Sequence, residues 1–208
     1  MPAPSISRRV PKSMQAPIGA YAAVIGEVVW ASNFSHGAFE ILFSHVATHD
    51  NYPIGRAIWH TAPSDSGQLQ MLRAAATAST RLSDRMRARI LWSIDKALKL
   101  GEMRNDAVHS ATIVLVKNGR AIMAPSDIGT KPSRSEKLRR EGDLKKKFRV
   151  VKGDLLQLGQ YIHSLWPHLA GFDHLPPLPR KPQLRSLPKP THRKATRAPA
   201  KGKPSGSE

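Results

Sequence analysis

The chain has 208 residues and a formal net charge of +18, from 33 Lys and Arg against 15 Asp and Glu. It contains no cysteine, which excludes disulfides, thiolate metal sites and a cysteine nucleophile, and is compatible with the reducing cytoplasm where we expect the protein. No apolar run approaches the ~20 residues of a membrane span, and no secretory signal pattern follows the basic N-terminus. The large positive charge favours a polyanionic partner, above all nucleic acid.

The first element predicted from the sequence is a long helix that follows a proline-rich arm. Residues 1–17 contain four prolines and little apolar content, so we interpret them as disordered. From Ile18 to His49 apolar positions recur at alternating steps of three and four, which predicts one helix packed against two neighbours. The stripe consists of Tyr21, Val24, Val28, Ala31, Ser35, Ala38, Leu42 and His45.

Turn and capping residues divide the next region into three shorter helices. Pro53 and Pro63 bound a short one over 53–61. Ser64 or Asp65 caps a second helix that runs to about residue 80. Ser83 or Asp84 caps a third, which runs beyond residue 103 and which Gly101 is expected to loosen or kink.

A change of period predicts a β-hairpin at about 111–123, with Asn118 and Gly119 in a tight turn. A loop over 124–135 leads to one last charged, then amphipathic helix, which Pro167 bends or ends. Residues 171–208 are rich in Pro, Lys and Arg and are expected to form a disordered basic tail. The prediction is one domain over 18–170, an all-α up-and-down bundle of about four main helices with a small inserted hairpin.

The motif with the clearest chemistry is the segment 104–109, RNDAVH, at the end of the third of these helices. Arg104 offers a planar fork of N–H donors for a phosphate, and His109 can move a proton near neutral pH. An arginine five residues before a histidine is common by chance in so basic a chain, so Asn105 supplies most of the specificity. On a helix, Arg104 lies about 140° around the axis from His109. A site therefore needs a facing surface, and a second copy of the chain is the simplest source.

The segment Leu98 to Ser110, LKLGEMRNDAVHS, resembles the signature of the HEPN superfamily. This resemblance implies a helical bundle that dimerises and acts as a metal-independent endoribonuclease of a toxin, defence or RNA-processing system, with a regulatory partner such as an antitoxin. It implies catalytic roles for Arg104, which would hold the scissile phosphate, and for Asn105, which would orient phosphate or imidazole. His109 would act as general base or general acid in 2′-hydroxyl transesterification. It implies no cofactor and no metal.

Two other groups of residues are candidates for binding. The His45 and His49 pair has metal-ligand spacing, but no third ligand is evident, so we interpret it as a packed or partly exposed pair. A basic cluster at the start of the last helix is either a solvated face or a surface for an RNA backbone. The cluster consists of Lys137, Arg139, Arg140, Lys145, Lys146, Lys147 and Arg149. The four tryptophans are expected in the core.

Two alternatives to the ribonuclease stay open at this point. In the first, a non-catalytic domain of the same shape binds nucleic acid or a protein through its basic surface. In the second, the chain is a structural adaptor, Arg104 pairs with Glu102 or Asp106, and His109 caps the end of its helix. The position of His109 relative to Arg104 distinguishes these readings.

Overall fold

The computed structural model describes residues 12–109, 112–117, 120–126, 131–170 and 177–187. It is an all-α bundle with one two-stranded antiparallel sheet, as the sequence predicts. The helices are α1 (Lys12–Thr48), α2 (Tyr52–Trp59), α3 (Asp65–Ala78), α4 (Asp84–His109), α5 (Pro132–Arg140) and α6 (Leu144–Leu165); the strands are β1 (Thr112–Lys117) and β2 (Arg120–Pro125). The four long helices α1, α3, α4 and α6 form the bundle, and α2 and α5 are short additions to it.

The stripe predicted for α1 is the centre of the core. Seven of its eight positions are buried, and His45 is partly buried. The helix begins at Lys12, six residues before the predicted start at Ile18, so part of the predicted disordered arm is helical. The helix continues through Pro17, which lies in its second turn and lacks the N–H for one backbone hydrogen bond. The rest of the predicted arm, 1–11, lies outside the described residues.

The largest helix interface joins α1 to α6, and small residues allow the close approach. A Cβ atom at Gly159 would lie 2.8 Å from the ring of Phe34 and 3.1 Å from the Cα atom of Ser35. Next to this contact, the buried Ser35 hydroxyl donates a hydrogen bond of 2.5 Å to the carbonyl oxygen of Leu155. This approach fixes the turn of α1 that carries the next residue, His36.

The single last helix predicted from the sequence is wrong, because α5 and α6 are two helices. Gly142 stands between them with φ +71°, a left-handed conformation that glycine adopts without strain. Asp143 then caps α6 by accepting a hydrogen bond from the backbone N–H of Lys146 at 3.1 Å. The prediction that Pro167 ends the helix is confirmed, since α6 stops at Leu165 and a 3₁₀ turn, Trp166–His168, follows.

Part of the predicted disordered tail is packed against the bundle. The buried carboxylate of Asp154 accepts hydrogen bonds from the backbone N–H groups of Arg185 at 2.9 Å and Ser186 at 2.6 Å. Leu187 is buried in the same segment, 177–187. The order arises because these residues satisfy a buried charge and cover apolar surface. Residues 171–176 and 188–208, the remainder of the predicted tail, lie outside the described residues.

The prediction of a core position for every tryptophan is wrong for two of the four. Trp59 is fully buried and Trp92 partly buried, whereas Trp166 is exposed and Trp30 is 62% exposed. Trp30 lies between two stripe positions of α1, so its side chain leaves the core and stacks on Phe34, with ring centroids 6.1 Å apart.

The hairpin is confirmed, with the turn residues 118–119 outside the described part. No helix in the described ranges combines the length and the apolar character needed to cross a lipid bilayer.

Candidate functional site

A cavity of about 350 Å³ opens between α1, α3, α4 and α6 and contains two of the three predicted catalytic residues, Arg104 and Asn105. Its floor is apolar and is formed by Phe39, Leu69, Leu98, Leu155 and Leu158. Its rim carries polar side chains, including Ser32, His36, Asp65, Glu102, Arg104 and Asn105. An apolar floor with a few convergent polar groups is typical of a ligand site.

Arg104 is held at the rim by residues of two helices. Its Nη1 atom donates a hydrogen bond to the side-chain oxygen of Asn105 at 2.9 Å, and its Nη2 atom donates to Oδ2 of Asp65 in the first turn of α3. Its Nε–H is buried and has no hydrogen-bond partner within the described structure. The alternative in which Arg104 pairs with Glu102 or Asp106 is therefore wrong.

His36 of α1 faces the same carboxylate. Its Nε2 atom forms a hydrogen bond with Oε1 of Gln68 and lies 3.9 Å from Oδ1 of Asp65. Its ring packs against Trp59, with centroids 5.3 Å apart. Sequence reasoning missed His36, because its position beside Ser35 at the edge of the apolar stripe carries no signal that links it to Arg104.

His109 lies apart from this cavity. It is the last residue of α4, it is exposed, and it makes no hydrogen bond or ion pair with any described residue. The cavity is lined by Arg104 and Asn105 on the same helix, while His109 is absent from the described lining. The structure thus brings Arg104 and Asn105 together and leaves His109 at the end of the helix, although Asn105 and His109, four residues apart, are neighbours on one face of a regular helix.

Asp106, the third residue of the segment 104–109, faces the other side of α4. Its buried carboxylate lies 3.2 Å from Nε of Arg134 and accepts a hydrogen bond of 2.7 Å from Nζ of Lys137. Both basic residues belong to α5, so this cluster attaches α5 to the bundle. Lys137, predicted to contact nucleic acid, has this structural partner instead of a free ammonium group.

The rest of the predicted basic cluster is distributed over two helices. Arg140 pairs with Glu136 on α5, and Lys147 lies 2.6 Å from Glu141. The remaining members, Arg139 on α5 and Lys145, Lys146 and Arg149 on the first turns of α6, are partly or fully exposed. A basic surface of the predicted kind is present, but intramolecular pairing neutralises part of it.

The predicted interpretation of His45 and His49 as a packed or partly exposed pair is confirmed. His45 hydrogen-bonds Asp50 through Nδ1, and burial lowers its pKa below the usual range. His49, with φ 51°, is contacted by the guanidinium of Arg81 instead. Among the described residues, no group of three or more His, Asp or Glu is arranged to hold a metal ion.

Comparison with protein-family models, curated proteins and solved structures found no match for this chain. The resemblance to the HEPN superfamily therefore stays a prediction, carried by residues 104–109 and by the order of the helices. The structure itself shows the helical bundle.

Proposed function

We propose that this chain is an HEPN-like, metal-independent endoribonuclease that acts in the cytoplasm as a toxin or defence factor. One observation carries the proposal: Arg104 and Asn105 present a guanidinium and an amide at the rim of a cavity, and an exposed imidazole, His109, ends the same helix. These groups provide a phosphate-binding fork and a proton carrier, two of the parts that cleavage of RNA through its own 2′-hydroxyl needs.

The proposed reaction is an internal transesterification. A base removes the proton of the ribose 2′-hydroxyl, the 2′-oxygen forms a bond to phosphorus, and the bond from phosphorus to the 5′-oxygen breaks. The leaving 5′-oxygen takes up a proton, so the products are a 2′,3′-cyclic phosphate and a 5′-hydroxyl. Arg104 stabilises the charge that develops on the phosphoryl oxygens, an interaction that typically supplies a hundred- to thousand-fold in rate. His109 is the base.

A second copy of the chain completes the proposed site, because His109 and the cavity of one chain lie apart. Apolar side chains exposed near His109 favour a homodimer contact there: Val108 precedes it, and Ile113 and Leu115 follow in β1. Burial of such residues against an identical surface would stabilise a two-fold dimer. In that dimer, His109 of one copy approaches Arg104 of the other.

The basic surface supports RNA as the substrate. Lys145, Lys146 and Arg149 are at least partly exposed on the first turns of α6, and the chain carries a net charge of +18. Because phosphate contacts release counterions, we expect the dissociation constant for RNA to rise steeply with salt concentration. Binding that hardly changes between low and moderate salt would contradict this expectation.

The proposal is tested by incubating the purified full chain with mixed-sequence RNA in EDTA and analysing the ends of the products. Wild-type protein is expected to yield 2′,3′-cyclic phosphate and 5′-hydroxyl ends. Arg104→Ala and His109→Ala should lower the cleavage rate by about a hundredfold or more. Arg73→Ala and His60→Gln are matched controls, since both residues are outside the cavity lining. RNA that stays intact with the wild type, or equal cleavage by His109→Ala, would overturn the proposal.

A second candidate function is RNA binding without cleavage. The contact of Arg104 with Asp65 favours it, because a carboxylate on the guanidinium fork competes with a phosphate. The same assay distinguishes the two functions. A non-catalytic binder retains RNA in a salt-dependent complex and releases no cyclic phosphate.

A further inference from the structure

Cleavage of RNA through the 2′-hydroxyl needs two proton transfers, one from the attacking oxygen and one to the leaving oxygen. The segment 104–109 contributes a single imidazole per chain. A second proton carrier near Arg104 would complete the chemistry, and of the imidazoles in the described structure, His36 is the one that lines the cavity.

The carboxylate of Asp65 connects His36 to Arg104. One of its oxygens, Oδ2, accepts the hydrogen bond from Nη2 of Arg104, and the other, Oδ1, lies 3.9 Å from Nε2 of His36. The guanidinium of Arg104 and the imidazole of His36 thus face the two oxygens of one carboxylate. A carboxylate and a phosphodiester each present two oxygens to a guanidinium fork, so the position of Asp65 is one that a phosphate can take.

The Asp65 carboxylate is free to leave its position beside Arg104. The Asp65 side chain is 53% exposed and belongs to the first turn of α3, so its carboxylate can turn into solvent. His36 and Arg104 are each 23% exposed and stay in place, His36 through Gln68 and Trp59 and Arg104 through Asn105. Solvent screens this ion pair on its Asp65 side, so its loss has a small effect on stability.

We propose that His36 is a catalytic residue of the ribonuclease site, the general acid that protonates the leaving 5′-oxygen, and that Asp65 occupies the place of the scissile phosphate in the free protein. This inference rests on the proposed RNA cleavage. In its imidazolium form, His36 transfers the Nε2 proton to the 5′-oxygen as the bond from phosphorus to that oxygen breaks. His36 ends as a neutral imidazole, and His109 holds the proton from the 2′-hydroxyl.

The surroundings of His36 suit this role. The charged groups that line the cavity with it are Asp65 from α3 and Glu102 and Arg104 from α4, whereas α6 contributes the apolar Leu155 and Leu158. Gln68 fixes the direction of Nε2 through its side-chain oxygen. In the imidazolium, the single Nε2 proton is donated to Gln68, so a small rotation of the ring must redirect it to the position of Asp65 Oδ1, 3.9 Å from Nε2, where the proposal places the leaving oxygen.

The test uses two RNA substrates that differ in one atom. The first is ordinary RNA, and the second carries sulfur in place of the 5′-bridging oxygen at one linkage, so that a thiolate leaves without needing a proton. We expect His36→Gln to slow cleavage of ordinary RNA by about a hundredfold or more and cleavage of the sulfur-containing linkage by less than about threefold. His109→Ala should slow both substrates, because both need the 2′-hydroxyl to lose its proton.

Controls separate this inference from the proposed function and from misfolding. His60→Gln, a histidine at the C-terminus of α2 that contacts Glu40, should cleave both substrates like the wild type. Rescue of His36→Gln by the sulfur substrate demonstrates a folded site without its acid. If His36→Gln cleaves ordinary RNA at the wild-type rate, or is slowed equally on both substrates, the role of His36 is refuted while the proposed function stands. If the wild type cleaves neither substrate, the proposed function itself fails.

Discussion

Asp65, which contacts α4 from α3, and Asp106, which belongs to α4, form similar ion pairs in different surroundings. Asp65 contacts Arg104 from α3 and is 53% exposed, whereas the side chain of Asp106 on α4 is 6% exposed and contacts Arg134 and Lys137. Asp106 closes a junction between α4 and α5. Asp65 stands at the mouth of a cavity with His36 on its other side.

The two carboxylates differ in how easily each can leave its ion pair. Removing the buried carboxylate of Asp106 leaves two cations without their partner in a packed junction, which is costly. Moving the carboxylate of Asp65 exposes Arg104 to a cavity that a ligand can enter, and solvent screens the lost pair. Asp106 thus forms a structural ion pair, whereas in our proposal a substrate anion replaces Asp65, and three predictions test this difference.

The largest expected effect on stability belongs to Asp106. Asp106→Ala should lower the free energy of unfolding by about 2 kcal/mol, because a buried, charge-assisted hydrogen bond and an ion pair are lost together. Asp65→Ala should lower it by less than about 1 kcal/mol. Urea unfolding of both variants, followed by circular dichroism, measures the two values. Equal losses would contradict the distinction between the two aspartates.

Asp65→Asn should strengthen binding of single-stranded RNA by about fivefold at low salt. The change removes a negative charge next to Arg104, a repulsion of about 1 kcal/mol at 4 Å in water. Fluorescence anisotropy with a labelled oligonucleotide measures the dissociation constant, and Asp95→Asn is the matched control on α4. Weaker binding by Asp65→Asn would show that Asp65 supports the site and does not compete with the phosphate.

The smallest effect is expected for Arg73, which forms the other ion pair between α3 and α4. Its Nη2 atom lies 2.6 Å from Oδ1 of Asp95, and neither residue lines the cavity in the described structure. Arg73→Ala should change the free energy of unfolding by about 0.5 kcal/mol or less. RNA cleavage and affinity should match the wild type within twofold. A loss of cleavage comparable to that of Arg104→Ala would mean that the reaction needs no cation at the specific position of Arg104.

Periodicity and capping were sufficient to predict most of the bundle. The three-and-four spacing in α1 identified the buried stripe residue by residue, because one face of a helix must be apolar to pack. Ser64 caps α3 as expected, with its hydroxyl accepting a hydrogen bond from the N–H of Gly67 at 3.1 Å. The alternating residues of the hairpin were equally readable, since strands repeat every two residues.

The errors occurred where order depends on distant contacts. The packed segment 177–187 reads as a proline-rich tail, and its attachment to Asp154 joins residues about thirty positions apart. The break at Gly142 is hidden in a run of charged residues that is equally compatible with one helix. Trp30 was misplaced because residue type alone suggested burial, although its helical position faces solvent.

The candidate site shows the same limit. Local sequence pointed to Arg104 and Asn105, which the structure joins by a hydrogen bond, whereas the facing surface that the spacing from His109 calls for stays a prediction. The contribution of His36 and Asp65 comes from two other helices, at separations of 68 and 39 residues from Arg104. No periodic pattern records such proximity, because periodicity reports the environment of one helix and not which helix lies opposite.

By itself, the sequence determined the number of long helices, the face that each buries, the hairpin, the basic charge and the residue types of the motif. These are properties of neighbours along the chain, set by backbone geometry and by the exclusion of apolar side chains from water. The tertiary structure decided which polar groups meet: Asp65 between Arg104 and His36, Asp106 against α5, and His109 alone at the end of its helix. Such meetings depend on the packing of whole helices, since close contacts such as Gly159 against α1 set where each turn lies.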